Sequence, residues 1–205
     1  MTQRALLVAM MAAATLGTSG CDEHTTDDDD AATDDDDAAT DDDDATDDDD
    51  SGDGCLTAAS ESFTRPFEVD DQDYPFRSCA HETEEGLLHY IDEGPRDASE
   101  TILVVHGNPT WSFLYRNIAR AMIDDGHRVI APDHLGMGMS DVPSTAEYDF
   151  RPRSHADHLE DLVVELDLQN VTLVVQDWGG PIGLGMATRQ PDRIARILIM
   201  NTWAW

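Results

Sequence analysis

Three apolar runs govern what this chain can become. Thr101-Ile102-Leu103-Val104-Val105, Arg128-Val129-Ile130-Ala131-Pro132 and Val171-Thr172-Leu173-Val174-Val175 are short, rich in β-branched residues and continuous rather than alternating. That is the mark of strands buried on both faces. The stretches between them carry helical spacing. Trp111, Leu114, Ile118, Met122 and Ile123 fall near a 3.6-residue period that ends at Gly126. Ser154 can cap a second helix, on which Ala156, Leu159, Leu162, Val163 and Leu166 line one face. A short helix with Ile182, Leu184 and Met186 leads into the apolar run from Ile194 to Met200, and Leu87 to Ile91 reads as an earlier strand closed at Asp92-Glu93-Gly94-Pro95. Strands alternating with helices predict an α/β fold, a mostly parallel sheet with helices on both faces. Ligands of such sheets bind where the carboxyl ends of strands meet loops.

The first quarter of the chain has another character. The 205 residues hold 44 acids against 12 bases, a net charge of −32, and every base is arginine. Residues 22–54 contain 19 of the acids and no base, which leaves 25 acids against 11 arginines in 55–205. A nucleic-acid partner is not expected, because neutralising phosphates needs clustered cations. Thr-Asp-Asp-Asp-Asp recurs from Thr26, Thr33, Thr40 and Thr46. Such blocks lack the apolar surface to offset ordering entropy, so 22–54 reads as a disordered, extended linker. Asp49 to Gly54 imitates the opening of a calcium loop, yet the twelfth position is Ser60 instead of a bidentate glutamate. Only diffuse cation binding follows.

Residues 1–21 read as an address. Arg4 precedes the apolar run from Ala5 to Leu16, too short to span a bilayer and right for a signal peptide. Thr18-Ser19-Gly20-Cys21 resembles the lipobox of bacterial lipoproteins, although the family prefers Leu where Thr18 stands. The resemblance implies lipidation of Cys21 and a membrane-anchored lipoprotein of the cell envelope, periplasmic or on the outer surface; plain secretion is the alternative. Cys55 and Cys79 are then left as an even pair in an exported chain, where a disulfide is expected. Neither has a CxxC partner or a histidine at metal spacing, so no metal and no cofactor is expected.

The third buried run ends in Gln176-Asp177-Trp178-Gly179-Gly180 before a helix. This is the arrangement of a nucleophile elbow, which points one side chain above the sheet from a sharp strand-to-helix turn. Its usual occupant is serine, and here it is Asp177. A carboxylate attacks an sp3 carbon and leaves an alkyl ester on the enzyme, which water can hydrolyse. The plainer role for Asp177 is to cap the helix that follows. Val175 stands where serine hydrolases carry glycine.

The stretches 106–116 (HGNPTWSFLYR), 131–141 (APDHLGMGMSD), 171–184 (VTLVVQDWGGPIGL) and 201–205 (NTWAW) resemble the α/β-hydrolase superfamily and, within it, the haloalkane dehalogenases. The likeness covers roughly residues 68–205. It implies Asp177 as nucleophile, with the Asn108 amide and the Trp178 indole N–H holding the departing halide. Backbone N–H groups of Asn108 and Trp178 would form the oxyanion hole. His106 is expected to be structural. Asn108 and Asn201 exclude two dehalogenase branches that carry glutamate at those places. The remaining branch also resembles β-lactone decarboxylases, which use the same elbow on a strained ring. The expected substrate is thus a small apolar haloalkane or a strained lactone.

The resemblance further implies a cap domain, two more strands, a catalytic acid and a catalytic histidine. None lies within these 205 residues, and all eight histidines precede Asp177. The expectation is a signal peptide at 1–21, a linker at 22–54 and a partial hydrolase domain at 55–205. That domain would stop after about the sixth strand, leave an apolar sheet edge and not turn over by itself. A membrane-tethered, non-catalytic binding module is the alternative of another class.

Overall fold

The structure is a computed structural model that describes Cys55 and residues 66–204. The expected signal peptide, lipobox cysteine and acidic linker lie outside the described residues. Six strands form one sheet: β1 (Cys79–Thr83), β2 (Gly86–Glu93), β3 (Thr101–Val105), β4 (Arg128–Pro132), β5 (Val171–Asp177) and β6 (Ile194–Thr202). Three helices are threaded between them: α1 (Arg116–Asp124), α2 (Pro152–Glu165) and α3 (Gly179–Arg189). The strand order is β1-β2-β4-β3-β5-β6. β1 and β2 form an antiparallel hairpin, and β2 runs antiparallel to β4. The pairings β4-β3, β3-β5 and β5-β6 are parallel, as the buried apolar runs require.

Alternate residues of the central strands feed two separate cores. Leu103, Val105, Leu173 and Val175 pack with Leu159, Leu162 and Val163 of α2 and Ile182 and Met186 of α3. Ile102, Val104, Val129 and Val174 turn to the opposite face, against Ala119 and Met122 of α1 and the rings of Tyr74 and Phe76. The period-two alternation of strand side chains makes this division, so helices on both faces follow from strands without a polar side.

Four local expectations are corrected. The helical stretch from Trp111 divides into a 3-10 turn, Ser112–Tyr115, and then α1. Leu114 is consequently 45 % exposed, and Ser112 and Tyr115 are the buried residues of that turn. α2 begins at Pro152, whose fixed φ suits the first helical position, and not with Ser154 as its cap. The Ser154 hydroxyl instead donates to Asp149 Oδ1 at 2.7 Å. The strand β1, which the apolar pattern does not announce, pairs residue by residue with β2, from Cys79 opposite Tyr90 to Thr83 opposite Gly86. β6 runs two residues past Met200, with Asn201 inside it at φ 42°. Among the described residues β6 pairs only with β5, and Ile197 and Ile199 are exposed along it. Cys55 Sγ is bonded to Cys79 Sγ, which ties the chain ahead of the domain to the buried end of β1.

Candidate active site

At the carboxyl end of β5 the chain turns sharply. Asp177 has φ 52°, in the left-handed region, and the pairing with β6 shifts register between Gln176 and Asp177. A non-glycine residue held there is strained, and surrounding structure must impose it. Part of that structure is Thr202, whose hydroxyl donates to the Asp177 carbonyl. α3 starts at Gly179, with Trp178 before it and no side-chain cap. Asp177 therefore does not cap the helix. Its Oδ1 accepts instead from the backbone N–H of Asn108, at 3.0 Å.

That contact requires two close approaches. A Cβ on Gly107 would overlap the Asp177 side chain, and one on Gly179 would overlap the Val105 carbonyl. Val175 is accommodated from the helix side. A Cβ on Gly183 would come within 2.6 Å of its Cγ1, so Gly183 supplies the space that a glycine in the elbow would otherwise provide. Asn108 is exposed in the loop after β3, and Trp178, the residue after Asp177, is half-buried with its ring edge-on to Trp203 at 6.0 Å. The structure thus brings the three sequence-derived candidates together. The arrangement can present a carboxylate to an electrophile while a backbone donor holds one of its oxygens.

His106 is fully buried and has both ring nitrogens engaged. The N–H of His134 donates to its Nε2 at 3.0 Å, so Nδ1 carries the proton and donates to the Gly107 carbonyl at 2.9 Å. His106 is therefore a structural residue that fixes the loop carrying Asn108. Burial lowers its pKa, with Asp133 opposing. Asp133, also fully buried, accepts from the N–H groups of Ser112 (2.7 Å) and Met139 (2.9 Å) and pairs with His89 Nδ1 at 2.9 Å. It stays a carboxylate below its ordinary range: burial is the largest single influence and works against its charge, while His89, His106 and the Met139 N–H together hold the pKa down.

Asp133, His134, Tyr148 and His155 are the members of this neighbourhood that the sequence did not single out. The available signal was His155 and His158 on the apolar face of α2, where both are buried. A cavity of about 800 Å³ lies away from Asp177, between the β1-β2 turn, the segment 147–149 and α2, lined by carboxylates that include Glu85, Asp157 and Glu165. Among the described residues no group of three or more His, Cys, Asp or Glu side chains is placed to hold a metal ion.

Comparison with known proteins agrees with this geometry. A family model described as alpha/beta hydrolase fold matches residues 100–204. A cis-3-alkyl-4-alkyloxetan-2-one decarboxylase of Shewanella oneidensis is 50 % identical over 119 residues, 58 % of this chain and 36 % of that protein. A haloalkane dehalogenase of Mycolicibacterium paratuberculosis is 44 % identical over 135 residues, 63 % of this chain and 44 % of that one. The haloalkane dehalogenase DpaA of Paraglaciecola agarilytica NO2 superposes with a TM-score of 0.59 at 37 % identity, over 66 % of this chain and 48 % of that one. The chain thus spans less than half the length of these relatives.

Proposed function

Because this chain belongs to the α/β-hydrolase fold family and by resemblance is an enzyme's, we propose that Asp177 is the nucleophile of a haloalkane dehalogenase. The observation that carries the reading is the 3.0 Å contact from the Asn108 N–H to Asp177 Oδ1 at a strained elbow. One carboxylate oxygen rests on a backbone donor, and the other attacks an sp3 carbon. A C–O bond forms, and the halide leaves with the electrons of the C–X bond, received by the Asn108 amide and the Trp178 indole N–H. In the ester, the former Oδ1 is the carbonyl oxygen. When water adds, it becomes the oxyanion beside the N–H groups of Asn108 and Trp178. Activating that water requires a base, and no histidine follows Asp177 in these 205 residues. The step that Asp177, Asn108 and Trp178 account for ends at the ester.

The second reading is a β-lactone decarboxylase, favoured by the 50 % identity to the Shewanella protein. There the electrophile is a strained four-membered ring. The two readings separate in one experiment: intact-mass and peptide mass spectrometry after incubation with bromoalkanes or with a cis-3,4-dialkyl β-lactone, comparing wild type with Asp177→Asn. The expected result is a single alkyl adduct on the peptide around Asp177, absent from the variant, with no more than one halide released per chain. An adduct from the lactone alone supports the decarboxylase. No adduct from either supports a non-catalytic binding module. Sustained halide release refutes the missing-base argument.

For location the proposal is lipidation at Cys21, with 22–54 as a spacer that carries the domain clear of a membrane in the cell envelope. Its support is the short apolar run, the small residues ahead of Cys21 and the charge of the spacer.

A further inference from the structure

Behind the Asn108 loop, aromatic side chains are packed ring against ring in a line that ends at the acidic cavity. The His106 and His134 ring centroids are 4.3 Å apart, and His134 and His155 are 5.0 Å apart. The His155 Nδ1 is hydrogen-bonded to the Tyr148 hydroxyl at 2.9 Å. Tyr148 stacks on His158 at 5.2 Å, and His158 Nε2 lies 3.0 Å from Glu85 Oε2, a carboxylate of the cavity lining. His106, at the inner end, holds the Gly107 carbonyl through Nδ1. The line therefore joins the backbone at Asn108 to a surface groove.

Its hydrogen bonds work only while the inner imidazoles are neutral. His106 Nε2 must accept the His134 N–H, and a proton there would set two donors against each other. The imidazole of His134 contacts His106 on one side and His155 on the other, so a charge on any one repels its neighbours. His155 Nε2 is buried without a partner, and protonation would put a charged N–H in that place. We propose that this stack is an acid-operated latch: neutral, it clamps the loop carrying Asn108 against Asp177, and proton uptake from the groove side releases the loop.

The charged groups around the stack set where the proton enters. At the outer end stand Glu85 of the β1-β2 turn, Asp149 ahead of α2, and Asp157, Asp161 and Glu165 of α2. Glu165 holds His81 of β1 at 2.9 Å. Asp149 favours a charged His155. At the inner end only Asp133 does the same for His106, and it already pairs with His89 of β2. Arg189 of α3 is engaged with Asp157 and Glu160 and does not oppose a proton at His155. Acid uptake thus begins at His155 and the groove. Burial, then the neighbouring imidazoles, hold its pKa down at about 4, and burial, then His106 and His155, hold His134 well below its ordinary value.

The sign is fixed by linkage. A histidine lowered in the closed form binds more protons when the latch opens, so closure is complete above about pH 6.5 and weakens as the pH falls toward about 4. Each proton taken up multiplies the opening constant about tenfold per pH unit across that window. The test is hydrogen exchange at the amides of residues 106–110, corrected for the intrinsic pH dependence of exchange, between pH 7 and pH 4.5. It reads the Asn108 backbone and not turnover, so it stands whichever reaction Asp177 performs. For the one proton that His155 takes up in this window, the wild-type opening constant should rise roughly a hundredfold, while the amides of β3 and β5 stay protected. His155→Phe, which keeps a ring in the stack, should flatten the rise to under tenfold. Should that variant not fold, the wild-type histidine resonances decide: His134 and His155 titrating near the ordinary imidazole value would overturn the latch. So would equal loss of protection in β3 and β5, which is plain acid unfolding.

Discussion

Asp92 lies near the end of β2, opposite Ile130 of β4, and is 3 % exposed. The guanidinium of Arg128 meets it with two hydrogen bonds, Nε to Oδ1 at 2.9 Å and Nη2 to Oδ2 at 2.8 Å. Arg96 adds a third contact, Nη1 to Oδ2 at 2.6 Å, from a side chain that is 43 % exposed. Asp92→Ala would leave the Arg128 guanidinium buried, charged and without its two acceptors. Breaking a buried pair from one side costs about 3–5 kcal/mol. Arg128→Met is milder, about 2 kcal/mol, because Arg96 still reaches the remaining carboxylate from solvent. The double variant Asp92→Ala with Arg128→Met removes both charges and leaves no buried ion unpaired, so it should fall within about 1–2 kcal/mol of wild type. The assay is urea unfolding at neutral pH followed by circular dichroism, with the four proteins treated as a double-mutant cycle. A coupling of at least about 2 kcal/mol is expected. Two outcomes refute the reasoning: Asp92→Ala losing under about 1 kcal/mol, or a double variant that loses the sum of the two single losses.

Two further outcomes are expected. Reducing the Cys55–Cys79 bond, which closes a separation of 24 residues, should lower stability by about 3 kcal/mol in denaturant titrations with and without reductant, and an unchanged midpoint would show that the N-terminal segment contributes nothing to the fold. Metabolic labelling with a fatty-acid analogue should mark the wild type and not Cys21→Ala, which should appear as a soluble form; equal labelling of both would end the lipoprotein proposal.

The elements that a local pattern encodes were legible in the residues. A continuous β-branched run has one economical fate, so β3 and β4 fall where the sequence puts them, and β5 begins there and extends two residues further. The elbow was legible too, because strand, Asp177, two glycines and helix follow one another within a few residues. β1 was not, since its residues become a strand only by pairing with β2. The start of α2 was misread because Ser154 and Pro152 both signal a helix start, and the fixed φ of proline decided. Sequence alone determined that a carboxylate sits at the head of a buried strand, for that is a matter of neighbours along the chain. Only the tertiary structure decided that Asp177 takes a hydrogen bond from Asn108, 69 residues away, and that the rings of His106, His134 and His155 pack against one another behind that contact. Contacts of that kind depend on which strands the sheet places side by side. Strand order is set by the packing of two cores, and no local run of residues carries it.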